Sequence, residues 1–192
     1  MKIGIAGGIG SGKSYVCQRI RQQGFEVYDC DDAAKRLIRT SPEIRQQLTA
    51  LIGPEVYTDD VEGEPVLNKA VVAKFLLTSE SNAQAIDRIV HPAVFKDFIE
   101  SGLQWMESAL MFESGIYKLV DKVVAVVAPK EIRIRRVMER DHISREKVLE
   151  WMNRQMDQKE IIHRADYVII NDGETDIDQQ LENIIRQCNR SF

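Results

Sequence analysis

Short apolar runs along this chain alternate with stretches whose apolar positions recur every three or four residues. That alternation predicts strands separated by amphipathic helices. Lys2-Ile3-Gly4-Ile5-Ala6 reads as a buried parallel strand, and residues 14–22 follow with helical spacing. Phe25-Glu26-Val27-Tyr28 predicts a second strand, entered through a helix stop at Gly24. Ser108-Ala109-Leu110-Met111-Phe112 predicts a third, and residues 122–127, rich in β-branched side chains, a fourth. Ala165-Asp166-Tyr167-Val168-Ile169-Ile170 predicts a fifth. Helices are predicted over 130–140, over 144–155 with Ser144 as N-cap, and over 176–189 with Ile177, Leu181, Ile184 and Ile185 on one face.

Between the second and third strands this rhythm breaks. Residues 33–40 look helical, and Ser41-Pro42 opens a helix to about residue 52. Residues 53–65, with Asp59-Asp60 and Gly63, predict a polar hairpin-like connection. Helices then follow over 68–77, 81–90 and 92–107. His91-Pro92 should separate the last two, because a residue before proline avoids the α region. Residues 157–164 are strongly polar and read as mobile.

Composition narrows the class without naming a chemistry. With 192 residues, 44% hydrophobic and 29% charged, the chain has enough apolar mass for one compact domain and is not disordered. A net charge of −4 argues against a nucleic-acid partner. Cys17, Cys30 and Cys188 are far apart and form no C-x-x-C pair, and His91, His142 and His163 lack metal-ligand spacing. The longest strongly apolar run, 123–128, is too short to span a bilayer. The first core strand begins almost at residue 1, so no signal peptide and no membrane partner are expected, and a cytoplasmic enzyme is.

Candidate chemistry concentrates between the first strand and helix. Gly7-Gly8-Ile9-Gly10-Ser11-Gly12-Lys13-Ser14 fits G-x-x-x-x-G-K-[ST] in the strand–loop–helix setting that pattern requires. Such a loop presents successive amides as an anion nest at a helix N-terminus. Lys13 is then placed for the β- and γ-phosphates, and the Ser14 hydroxyl for Mg²⁺. The second strand ends in Asp29-Cys30-Asp31-Asp32, at the edge of the sheet where ligands bind in open α/β folds. A carboxylate there either takes a proton from an attacking hydroxyl, holds Mg²⁺ through water, or only caps the next helix. The helical insertion either grips an acceptor or is extra core. Arg133, Arg136 and Arg140 share one helical stripe, either a solvated face or a lid whose Arg140 stabilises a transferring phosphoryl group.

Taken together these residues resemble the dephospho-CoA kinases, which phosphorylate the 3′-hydroxyl of dephospho-coenzyme A with ATP. The resemblance covers nearly the whole chain. It rests on the glycine-rich loop, on Asp29-Cys30-Asp31 as the family's D-x-D, and on His91-Pro92. It continues in Leu110-Met111-Phe112-Glu113, Arg140-Asp141, Gln155 and residues 165–171. Departures are Ala109 for a usual proline, Cys30 for alanine, Tyr15 for threonine, and Ile161 where a basic residue is frequent, with Lys159 and Arg164 nearby.

The resemblance implies a P-loop NTPase fold, three-layer α/β/α on a five-stranded parallel sheet. It implies a nucleotide-binding core at 1–29, 108–132 and 166–192, a helical dephospho-CoA-binding domain at 30–107, and a lid at 133–165. Asp31 is then the base, with Lys13 and Arg140 as further catalytic groups. ATP is bound by Gly8, Ile9, Gly10, Ser11, Gly12, Lys13, Ser14, Tyr15 and Asn171, the last beside the adenine. Asp29, Asp31 and His91 bind the acceptor, and Ser14 ligates Mg²⁺. Partners are then the two small-molecule substrates, and the protein is a monomer or weak homo-oligomer. Two alternatives remain on the residues alone: a nucleoside monophosphate kinase-like enzyme, and a non-enzymatic nucleotide switch.

Overall fold

The apolar runs become neighbouring strands, and the two central ones are buried on both faces. In the computed structural model, residues 1–59, 63, 65–79 and 81–189 are described; Asp60 of the expected hairpin lies outside them. The elements in chain order are β1 (Ile3–Ala6), α1 (Lys13–Gln22), β2 (Val27–Asp29), α2 (Cys30–Thr40), α3 (Pro42–Ile52), β3 (Tyr57–Asp59), β4 (Pro65–Leu67), α4 (Lys69–Thr78) and α5 (Ser81–Ser101). They continue with β5 (Trp105–Glu107), β6 (Lys122–Val127), α6 (Lys130–Asp141), α7 (Arg145–Asn153), α8 (Gln158–Arg164), β7 (Tyr167–Ile170) and α9 (Ile177–Asn189). The chain divides into two compact units, one of residues 1–29 and 102 onward, the other of residues 30–101.

The first unit holds a five-stranded sheet in the order β2-β5-β1-β6-β7, every adjacent pair parallel. Ile3 and Ile5 of β1, Val124 and Val126 of β6, and Ile169 of β7 turn to one face. There they join Val16, Cys17 and Ile20 of α1 and Leu181 and Ile184 of α9 in one cluster. The alternate positions face the other way, as the two-residue period of a strand requires. On that side the Met111 thioether lies where a Cβ on Gly4 would come within 2.8 Å of it.

The second unit packs α2, α3 and α5 together and carries the β3–β4 antiparallel hairpin, Tyr57 opposite Leu67. Side chains start its helices where the sequence suggests. The Ser41 hydroxyl accepts the Ile44 amide, and the Asn68 carbonyl oxygen accepts the Val71 amide, both at 3.3 Å.

Three expectations need correction. The third strand is Trp105–Glu107, not 108–112. The Ser108 amide still donates to the Ile5 carbonyl, but the Ser108 hydroxyl accepts the Leu110 amide at 3.2 Å and turns the chain. The apolar Met111 and Phe112 are buried beyond that turn. Second, His91-Pro92 does not separate two helices, since α5 runs through it from Ser81 to Ser101. An interior proline costs about 3 kcal/mol. Burial of Val90, Val94 and Phe98, four apart on one face, returns roughly 1.5–3 kcal/mol each and outweighs it. Third, 157–164 is not a loose polar segment: Asp157 caps α8 by accepting the Lys159 amide at 2.8 Å.

Candidate active site

The loop between β1 and α1 folds as its glycines demand. Gly10 and Gly12 have φ of 77° and 90°, conformations that side chains rarely adopt. A Cβ on Gly10 would come within 2.5 Å of the Arg133 carbonyl oxygen, and one on Gly12 within 2.0 Å of Asn171 Nδ2. Gly12 is the N-cap of α1, so the first amides of that helix open toward the loop. Lys13 lies back along the loop, its ammonium donating to the Gly7 carbonyl at 2.9 Å. The Ser11 hydroxyl is buried with no hydrogen-bond partner among the described residues, the kind of orphaned polar atom that marks a ligand site.

Glu107 is the candidate site residue that sequence reasoning missed. It ends β5, pairs in register with both Asp29 and Ile5, and is 9% exposed. The Ser14 hydroxyl donates to its Oε1 at 3.3 Å. One turn along α1 lies the Cys17 thiol, fully buried. Burial first, then the Glu107 charge, pushes that thiol far above the ordinary cysteine range. The signal was an acid closing the apolar Trp105-Met106 pair; placing the strand three residues late hid it.

At the end of β7, Asn171 ties the loop to α6. Its Nδ2 donates to the Ser11 carbonyl at 2.9 Å, while its own O and Oδ1 accept from Arg136 at 3.1 and 3.3 Å. Gly12, Tyr15, Arg136, Asn171 and Ile177 line a cleft of about 580 Å³ beside the loop. Its size, half-exposed tyrosine and polar rim suit a nucleoside.

Arg133, near the start of α6, is 6% exposed and lies against the loop. Its Nε donates to the Ile9 carbonyl at 2.9 Å and its Nη1 to Gln158 at 3.3 Å. Burial lowers its pKa and the Asp157 charge opposes the shift, yet a guanidinium stays charged. Gln155 accepts the Ile9 amide at 2.7 Å. Arg140, at the other end of α6, is exposed and forms a bidentate pair with Asp141 at 2.8 and 2.7 Å. That carboxylate raises the Arg140 pKa. Ile161, where a basic residue was anticipated, is 6% exposed and packs inward, while Arg164 pairs with Glu160 and covers the Phe112 ring.

Asp31 stands in the first turn of α2, in the second unit, two residues beyond the end of β2. His91 sits mid-way along α5, 3.6 Å from Asp87 and stacked on Phe95 with ring centroids 6.1 Å apart. The structure thus brings together residues 7–15, Asn171 and Glu107 in the first unit, with Asp29 at the same strand edge.

Comparison with known proteins agrees over most of the chain. The family model described as dephospho-CoA kinase (CoaE) matches residues 1–176. A dephospho-CoA kinase of Bacteroides fragilis (strain YCH46) is 38% identical over 196 residues, covering 96% of this chain and 91% of its own. One from Porphyromonas gingivalis is 39% identical over 176 residues, covering 88% and 85%. Among solved structures, a Thermus thermophilus protein superposes with TM-score 0.80 at 32% identity over 97% of both chains. A dephospho-CoA kinase from Campylobacter jejuni, 20% identical, shares the fold at TM-score 0.69 over 100% of this chain and 99% of its own.

Proposed function

This chain belongs to the dephospho-CoA kinase family and catalyses the ATP-dependent phosphorylation of dephospho-CoA in coenzyme A biosynthesis; from that premise we propose how its residues do so. The monophosphate-kinase and switch alternatives fall with that membership. The observation that carries the residue-level reading is the glycine loop with Ser14 hydrogen-bonded to a buried acid.

The ATP phosphates lie on the loop amides, the ribose and adenine in the cleft beside Asn171 and Tyr15. Ser14 and Glu107 offer only hard oxygen donors, which fits Mg²⁺ bound jointly with substrate phosphates. Mg²⁺, when bound, neutralises charge on the phosphate oxygens. Lys13, released from the Gly7 carbonyl, adds a cation to the same oxygens. Asp31 accepts the proton of the ribose 3′-hydroxyl as it attacks. The helical unit, with Asp31 and His91, holds the acceptor, and Asp29 borders it. Residues 133–165 act as a lid that excludes water, and Arg140 exchanges Asp141 for the transferring group on closure. No helix among the described residues is long and apolar enough to cross a membrane. A cytoplasmic enzyme, monomeric or weakly self-associating, completes this reading.

The test is ADP release that depends on dephospho-CoA, with a new 3′-phosphate in the product. Asp31→Asn should leave ATP binding nearly unchanged and lower turnover roughly 10²–10⁴-fold. Near-normal turnover in that variant would remove Asp31 from the role of base.

A further inference from the structure

We infer that Arg133 is a positioning residue for this reaction: by holding the Ile9 carbonyl outward it aims the Gly10 amide into the phosphate cradle. The inference rests on the loop being that cradle. It departs from the usual role of a lid arginine, which is to touch the transferring group.

The argument is geometric. None of the described peptide bonds is cis, and in a trans unit the carbonyl and the following amide point in opposite directions. Three units of the loop are each gripped by a side chain from elsewhere in the chain. In the Gly8–Ile9 unit, Gln155 takes the Ile9 amide at 2.7 Å while the Gly8 carbonyl, facing the other way, takes the Ser11 amide at 3.1 Å. In the Ile9–Gly10 unit, Arg133 Nε holds the carbonyl at 2.9 Å, so the Gly10 amide is turned away from α6. In the Ser11–Gly12 unit, Asn171 holds the carbonyl at 2.9 Å, so the Gly12 amide is turned away likewise. Neither the Gly10 nor the Gly12 amide is taken up by a protein acceptor among the described residues.

Such a grip is needed because the chain there is glycine. Gly8, Gly10 and Gly12 resist rotation of the intervening peptide planes little. An inverted Ile9–Gly10 unit would present a carbonyl oxygen to phosphate oxygens. Arg133 is suited to prevent this. It is buried and lies so close to the loop that a Cβ on Gly8 would meet its Nη2 at 2.4 Å. Its other arm is held by Gln158, whose Oε1 also accepts the Ala128 amide at 3.4 Å. The planar fork serves Ile9 and Gln158 at once; a lysine ammonium has no such fixed geometry.

The experiment titrates inorganic tripolyphosphate into ¹⁵N-labelled full-length protein and follows the Gly10 and Gly12 amide resonances, alongside steady-state kinetics. Wild type should shift both. Arg133→Lys and Arg133→Gln should both lose the Gly10 response and keep that of Gly12. Their KM for ATP should rise about tenfold or more, with the KM for dephospho-CoA held, because one charge-assisted hydrogen bond is misaligned. A wild-type Gly10 response in either variant, or full rescue by lysine and none by glutamine, overturns the inference; the latter would mean that charge alone matters. If the Arg133 variants fail to fold, Gln158→Leu loosens the guanidinium without removing it. A reduced Gly10 response there supports the role, and an unchanged one overturns it. Wild type that does not bind tripolyphosphate overturns the cradle reading itself. Wild type that binds it with Gly10 unmoved overturns only the part given to Arg133.

Discussion

The two units of this protein use apolar side chains in opposite ways. In the first, the central strand positions are sealed: Ile5, Val124, Ala125, Val126 and Ile169 are all 0% exposed. In the second, α4 buries none of its residues, and Leu77 is 88% exposed. The core of that unit is a short strip of Cys30, Ala33, Ile44, Leu48, Val56, Val90, Val94 and Phe98 among the described residues. Fixed dipoles stabilise a developing charge only if they do not have to reorient, so a phosphate cradle belongs on closely packed elements. A unit that grips an acceptor gains from low local stability, because its elements then adjust at little cost.

The largest effect tests the strip. Phe98→Ala should destabilise the second unit by about 3–5 kcal/mol, whereas Leu77→Ala should stay within about 0.5 kcal/mol. Denaturant unfolding of both variants checks this, and similar losses would erase the distinction between sealed and open packing. Next comes chemistry without folding. Lys13→Ala should lower turnover roughly 10²–10³-fold with little change in the unfolding midpoint, because its ammonium bonds a carbonyl of the loop rather than packing into the core. A comparable fall in thermal stability would make Lys13 part of the scaffold.

The smallest effect is one of pH. Burial holds the Cys17 thiol protonated in the folded state, while the unfolded thiol ionises near 8.5. A raised folded pKa contributes stability that is complete below about pH 8.5 and is lost above it, where only the unfolded chain releases its proton. Unfolding at pH 9.5 should therefore show about 1.4 kcal/mol less stability than at pH 7 from this thiol. Cys17→Ala should flatten that component; an unchanged slope would mean that the first unit is less sealed than its exposure values say.

The loop was legible residue by residue because its demands are local. Gly10 and Gly12 need positive φ, and Lys13 and Ser14 open a helix whatever surrounds them. Strand positions at β1 and β6 were legible for a similar reason, since burial on both faces leaves an unbroken apolar run, and β7 reads as one too although only Ile169 in it is sealed. The third strand was misplaced because Met111 and Phe112 are as apolar as a strand and only the turn at Ser108 distinguishes them. The continuity of α5 was hidden because proline acts locally, while the burial that overrides it is tertiary.

By itself the sequence determined the phosphate-binding loop, the α/β alternation and the family, since each is carried by backbone preferences and residue identities at short spacing. Only the tertiary structure decided which side chains hold that loop in shape. Asn171 reaches Ser11 across 160 positions, Arg133 reaches Ile9 across 124, and Ser14 meets Glu107 across 93. Those meetings follow from the strand order β2-β5-β1-β6-β7, which sets β5 and β6 on either side of β1, and no local pattern specifies that order.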